Sequence, residues 1–401
     1  EIQGTNFFRR TAGDFFFGIR KVFAYIDLNL SKTMLAQLRA QLLRRIISTG
    51  QGKYFFVTGN CRYQILCASV HADDFSVIPG QLQLGGKIYR CPHFTGKNFL
   101  AYKRWWKRFF EDHGAEYDIV HGHIGSTAAI YLHEAKKVGC FTIAHSHNSG
   151  TDHSLRSALY YMISYPTRWI ADFFFACSKP AGIDRYGKKV AGSPNCIVFR
   201  NAVDVSKFAY SEHIRKAVRD EWKLENLTVV GHIGRMFHQK NHMALLDIFS
   251  AFHQRTPNSK LLLVGDGPLR NEIERRVHEL KLDQYVIFAG IRSDVDRLIQ
   301  AMDVFVFPSL YEGLPVTLVE TQTAGLPCVI SDKVPEDSIL VKSLVSVMKL
   351  NDPPEQWSDC MQNCLKTKRQ DRSKEVAAAG FDIAQTTKWL EEFYLEHNPR
   401  R

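Results

Sequence analysis

Asp303-Val304-Phe305-Val306-Phe307-Pro308-Ser309-Leu310-Tyr311-Glu312-Gly313-Leu314-Pro315-Val316-Thr317-Leu318-Val319-Glu320 is the stretch that decides how this chain folds. It opens with a short β-branched and aromatic run, which reads as a buried strand of a parallel sheet. Pro308 ends the strand, and Gly313 and Pro315 shape a loop. Pro315 at a first helical position, followed by an apolar-periodic run through Val319, opens a helix. Glu312 then lies in the loop and Glu320 about a turn and a half along the helix. Backbone N–H groups at a helix start can receive a phosphate, and two carboxylates accept sugar hydroxyls. The combination suits a nucleotide sugar.

Strand and helix signals alternate on both sides of this stretch, the pattern of parallel α/β sheets. Upstream, strands are expected at Leu227-Thr228-Val229-Val230-Gly231-His232-Ile233-Gly234, at Lys260-Leu261-Leu262-Leu263-Val264-Gly265 and at Val286-Ile287-Phe288-Ala289-Gly290. Downstream, residues 327–331 form another. An earlier set comprises Tyr117-Asp118-Ile119-Val120-His121, a helix over 126–138, then strands over 140–145, 172–178 and 195–200. The domain boundary is expected just after Asn201-Ala202-Val203-Asp204, within the charged helix-like stretch 211–225. A tail helix over 383–396 carries Trp389, Leu390, Phe393 and Tyr394 as its apolar stripe. Residues 1–84 show no clean alternation; 39–47 read as a basic amphipathic helix and 53–58 as a strand.

At Glu312 and Glu320, separated by seven residues, and in the surrounding Ala324-Gly325-Leu326-Pro327-Cys328-Val329-Ile330 text, the chain resembles the retaining glycosyltransferases of family 4, with their Glu-x7-Glu signature. Such a gap between glutamates is also common on solvated helix faces; the Pro-Ser, Glu-Gly and Ala-Gly context carries the resemblance, which runs from about Gly85 to the end. It implies an α/β GT-B fold: two Rossmann-like domains facing a cleft, with a C-terminal helix crossing back to the first. The division would be 1–205 for the acceptor-side domain, 206–380 for the nucleotide-sugar domain and 381–401 for the crossover helix. Family members begin with a strand and a Gly-Gly loop that has no counterpart in residues 1–84, which suggests divergence or a reading-frame change upstream. The first residue is not Met, as in a fragment or processed chain.

Gly234-Arg235-Met236-Phe237-His238-Gln239-Lys240 follows a strand and sets two cations close together. A departing nucleoside diphosphate gains negative charge and needs such neutralisation, with arginine offering a fork and lysine a point charge. The resemblance assigns Gly234, Arg235 and Lys240 to the donor diphosphate, Glu320 to the ribose hydroxyls and Glu312 to the donor sugar. Gly313 and Leu314 would offer backbone N–H groups. His145, in Ala144-His145-Ser146-His147-Asn148, matches a family histidine that contacts the donor sugar. With Glu312 it is the expected catalytic pair. His121, His123 and His147 are acceptor-side candidates. No carboxylates stand at metal spacing beside these histidines, so neither metal nor cofactor is expected.

Asp294-Val295-Asp296 has the form of a metal–diphosphate signature but reads as a helix start capped by Ser293 or Asp294. Gly265-Asp266-Gly267-Pro268 lacks the third glycine of a dinucleotide loop and is expected to line the nucleotide pocket. In Lys103-Arg104-Trp105-Trp106-Lys107-Arg108-Phe109-Phe110, cations and aromatics interleave. On a helix, Phe99, Tyr102, Trp106 and Phe109 share a face that packs on the sheet or meets anionic lipid. Residues 159–177 are apolar but broken by Arg168 and Asp172, so a buried helix and strand are expected there rather than a membrane span.

The 401 residues are 45% hydrophobic and 23% charged, room for two or three domains. The net charge of +11 favours anionic partners, while the dispersal of the basic residues speaks against nucleic acid. Nine cysteines without a Cys-x-x-Cys suit a reducing cytosol, and no signal peptide is visible. The sequence thus favours a retaining hexosyltransferase taking a nucleoside diphosphate sugar, UDP-linked first, to a lipid-linked or growing polysaccharide such as a capsule or exopolysaccharide. It would act in the cytoplasm or at the inner membrane face. A non-catalytic nucleotide-sugar-binding relic and a nucleotide-sugar isomerase are the alternatives.

Overall fold

The computed structural model describes residues 54–59, 62–67, 89, 91–123, 125–147 and 155–399, with backbone alone for the first two segments and for 155–157. The expected helix over 39–47 lies outside these residues. Among the described residues, twelve strands form two six-stranded sheets. The first contains β1 (Tyr54–Gly59), β2 (Arg62–Cys67), β3 (Ile119–Gly122), β4 (Phe141–Ser146), β5 (Phe173–Ala176) and β6 (Cys196–Val198), in the order β2-β1-β3-β4-β5-β6. The second contains β7 (Thr228–Ile233), β8 (Ser259–Val264), β9 (Val286–Gly290), β10 (Val304–Phe307), β11 (Cys328–Ser331) and β12 (Val345–Met348), in the order β12-β11-β10-β7-β8-β9.

The second sheet is parallel throughout. All four residues of β10 are fully buried, which is why the stretch carries no polar alternation. The chain runs outward from β7 to β9, then returns beside β7 as β10. Strand order therefore reverses between β7 and β10, where an open α/β sheet leaves a crevice beyond its strand ends. The loops holding Gly234 and Glu312 both leave from that point. In the first sheet β3 to β6 are parallel, whereas β1 runs antiparallel to both β2 and β3. The expected strand over 53–58 is thus present, but as an arm of an edge hairpin rather than the opening strand of a βαβ unit.

The tail helix, Ile383–Glu396, crosses to the first sheet. Ile383, Leu390, Phe393 and Tyr394 pack with Ile119, Ile143, Phe173, Phe175 and Phe199. Trp389 stays 38% exposed at the edge of this stripe. Val203 forms an isolated parallel bridge to Asp382: Val203 N–H donates to Phe381 and Ile383 N–H donates to Val203, each at 2.9 Å. Gly380, at φ +84°, turns the chain into that bridge.

Residues 159–177 do not make a buried helix. Helices Leu155–Ser164 and Thr167–Ile170 precede β5, and Leu159, Met162, Tyr165 and Trp169 all face outward. On the Phe99–His113 helix, Tyr102, Trp106, Phe109 and Phe110 are buried, while Phe99 is exposed at the helix start. Its aromatic face is core, packed on Tyr131 and Tyr117.

Candidate donor site

The loop after β7 and the loop after β10 close on each other. Lys240 Nζ donates to Glu312 Oε1 at 2.6 Å, Gln239 Nε2 donates to Glu312 Oε2 at 3.2 Å and to the Tyr311 carbonyl at 2.9 Å, and Leu310 N–H donates to the Gln239 carbonyl at 2.8 Å. Lys240 also lies 4.5 Å above the Phe307 ring. Burial lowers the ammonium pKa, and Glu312 opposes that shift. Arg235 remains exposed, its guanidinium 5.0 Å from the Phe237 ring centre, where an incoming anion can reach it. Gln239 was not singled out by sequence; its position one residue before Lys240 was the available signal.

Two glycines allow the loops after β7 and β8 to touch. A Cβ on Gly265, at φ +131°, would stand 2.1 Å from the Gly234 carbonyl, and one on Gly267 would stand 2.6 Å from the Met236 carbonyl. Met236 N–H donates to the Asp266 carbonyl at 2.9 Å. The Gly265 turn therefore braces the Gly234–Met236 backbone from behind.

Pro315, expected as the first helical residue, is instead the N-cap of helix Val316–Thr323, which opens one position later. Glu320 is half-buried on that helix. Burial pushes its carboxyl up to about 7, with Lys207 opposing and Asp296 adding to the rise. Lys207 and Asp296 themselves pair at 3.0 Å. Asp294 stands at the N-cap of Val295–Ala301 as expected, yet its carboxylate makes no cap bond and pairs with Arg292 at 2.7 Å. The Asp-x-Asp side chains thus part toward two different cations.

Across the cleft, β3 and β4 bring His121, His123, His145 and His147 into one stack of imidazoles. His145 and His147 have ring centres 4.0 Å apart, and His121 and His123 4.4 Å apart. His121 Nε2 and His145 Nδ1 are 3.1 Å apart, and His123 Nδ1 and His147 Nε2 2.7 Å apart. His121 Nδ1 bonds the Tyr394 hydroxyl at 2.6 Å, so the tail helix holds this ring. Burial lowers the His121 pKa to about 3 and the His147 pKa to about 4, and holds His123 and His145 well below the usual range, with neighbouring imidazoles adding to the shifts of His121, His123 and His145. All four are neutral at physiological pH.

Sequence spacing did not disclose that ring nitrogens of His121, His123 and His145 lie within 4.8 Å of one another. The three could approach a cation, but Tyr394 and His145 take both ring nitrogens of His121, and among the described residues no carboxylate joins the group. The two sides of the cleft come close: a Cβ on Gly313 would lie 3.9 Å from the His147 carbonyl. Gly313 therefore sits opposite the His147 end of the histidine stack. Glu320 stands apart in the Lys207–Asp296 neighbourhood.

Residues 228–367 match the family described as glycosyl transferases group 1. The putative glycosyltransferase EpsF of Bacillus subtilis (strain 168) is 30% identical over 317 residues, covering 76% of this chain and 81% of that protein. The UDP-Gal:alpha-D-GlcNAc-diphosphoundecaprenol alpha-1,3-galactosyltransferase of Escherichia coli is 26% identical over 305 residues, covering 70% and 76%. Among solved structures, Anabaena Alr3699/HepE in complex with UDP superposes with a TM-score of 0.67 at 17% identity, covering 82% of this chain and 92% of that one. The chain belongs to the group 1 glycosyl transferases and has the GT-B fold.

Proposed function

We propose that this glycosyltransferase moves a hexose, with retention, from a nucleoside diphosphate sugar to a lipid-linked or growing polysaccharide acceptor, and that UDP carries the sugar. The observation that carries the reading is the half-buried Lys240–Glu312 contact at the strand-order reversal, with exposed Arg235 beside it and His147 opposite Gly313. Lys240 and Arg235 neutralise the departing diphosphate. The Gly313 and Leu314 amides face the donor, and Glu320 accepts from the ribose hydroxyls. Glu312, held by Lys240 and Gln239, stands beside the sugar ring, where an oxocarbenium-like charge develops. His145 is neutral, so it exchanges a hydrogen bond with a sugar hydroxyl without adding charge. Positioning carries the rest of the rate, and no metal takes part.

The UDP reading draws support from the donor named in the Escherichia coli relative and from the UDP and UDP-glucose complexes of HepE. The diphosphoundecaprenol acceptor of that relative supports a lipid-linked acceptor and a place at the inner face of the cytoplasmic membrane. No helix among the described residues is long and apolar enough to cross a membrane. The division at about residue 205, with 381–401 as crossover, fits the same reading.

Donor turnover by the purified chain across UDP-, GDP- and ADP-sugars, with Glu312→Ala and Arg235→Ala beside it, tests the proposal. Nucleoside diphosphate release from one donor, lost in both variants and unchanged by EDTA, is the expected result. Binding without turnover would favour the relic, and epimer formation the isomerase. No donor binding would end all three readings.

A further inference from the structure

The surface over the Phe99–His113, Leu155–Ser164 and Thr167–Ile170 helices combines two features that the donor chemistry leaves unused. One is apolar. Leu100 and Trp169 are each 68% exposed and Met162 64%, with Leu159 and Tyr165 also outward. Phe99, Met162, Ile163, Pro166 and Ile170 line one groove of about 440 Å³ together with Lys103, so the three helices share a face. Tyr165 and Trp169 lie with ring centres 5.2 Å apart, and Arg168 covers the Tyr165 ring at 3.6 Å.

The other feature is charge. Residues 97–108 contain five cations and no acidic residue, and residues 155–170 contain two arginines and none. Lys97, Lys103, Arg104, Lys107 and Arg108 are all exposed. Of the acidic groups near in sequence, Glu111 faces Lys107 at 3.6 Å and Asp172 pairs with Lys136 at 2.6 Å, and Glu111 and Asp112 are the two acids against the five cations of 97–108. A soluble monomer rarely leaves large apolar side chains clustered, and an unbalanced cationic border adds self-repulsion that only an anionic partner relieves. Tryptophan and tyrosine beside cations and aliphatics is the composition that settles at a lipid headgroup boundary.

We propose that this face docks on an anionic lipid bilayer. Leu100, Leu159, Met162 and Trp169 enter the headgroup layer, and the cations of 97–108 meet lipid phosphates. The work is divided between elements: the Phe99–His113 helix keeps Tyr102, Trp106, Phe109 and Phe110 in the core and supplies charge together with Leu100, while residues 155–170 supply the rest of the apolar contact. Docking would serve the lipid-linked acceptor proposed above, but vesicle binding can be read without turnover.

The full chain is sedimented with phosphatidylcholine vesicles and with vesicles containing phosphatidylglycerol, at low and high salt, beside two double variants, Met162→Ser/Trp169→Ser and Lys103→Glu/Lys107→Glu. Partition onto the anionic vesicles about tenfold or more above the neutral ones is expected, falling with salt. Both variants should lose it while releasing nucleotide from donor in solution at the wild-type rate. Equal partition onto both lipids, or binding unchanged in both variants, would overturn the proposal. So would a lipid-free dimer that the Met162/Trp169 variant dissolves without any vesicle binding, which would assign the face to a second copy. If a variant melts early, the lipid-charge and salt dependence of the wild type still decide. Loss of turnover with vesicle binding intact would count against the donor-site reading alone.

Discussion

Replacing Lys240 by alanine removes the 2.6 Å bond to Glu312 and leaves a carboxylate facing the sugar position with Gln239 alone. Nucleotide release from the donor should fall by about 10²–10³ in kcat, the scale for losing one group that stabilises developing charge. Lys240→Arg should recover only part, since the fork does not fit a single-point contact. Glu320 answers to pH. Its folded carboxyl keeps a proton up to about 7, against an ordinary value of 4.5, so folded protein binds the extra proton between those values. Its contribution to stability is therefore present at low pH and lost as pH rises toward 7. UDP binding should move the opposite way, because in the proposed site the ionised Glu320 carboxylate is the better acceptor for ribose hydroxyls. Calorimetric titration between about pH 6 and pH 8 should show affinity rising in wild type relative to Glu320→Gln, a difference that cancels the titration of UDP itself. A flat difference would remove Glu320 from the ribose site.

At the scale of elements, Gly265→Ala sets a side chain at φ +131° against the Gly234 carbonyl. A loss of about 3 kcal/mol by urea denaturation is expected, with weaker UDP binding as the β7 loop shifts. The strand and loop around Glu312 were legible because a continuous apolar run, then Pro and Gly, admits few local structures. The tail helix was legible from its stripe for the same reason. The exposed face of Leu155–Ile170 was not: apolar composition resembles a core helix whether a partner covers it or not. Nor could spacing reveal the Tyr394–His121 bond, whose partners are 273 positions apart. The antiparallel β1–β3 pairing was equally hidden, because strand direction depends on a connection whose sequence carries no clear period. Asp294 was placed correctly at a helix start but its side chain went to Arg292, a stronger partner than a backbone amide.

At the scale of the whole molecule, the Ile383–Glu396 helix belongs by packing to the sheet from which it is most distant in sequence. Phe393→Ala would open a void against Phe173 and Phe175 and should cost about 3–5 kcal/mol in chemical denaturation. Because Phe175 also contacts the His145 ring, activity should fall further than stability alone explains. Among the described residues the polypeptide passes between the two sheets twice, and the Val203 and Asp382 crossings run side by side, bonded to one another. A peptide cut in the outgoing crossing would thus leave the pieces clasped by the docked helix. Co-expressed fragments 1–205 and 206–401 should assemble and elute together, whereas 1–205 with 206–380 should part, making residues 381–401 the fastener of a protein that can be built from two chains.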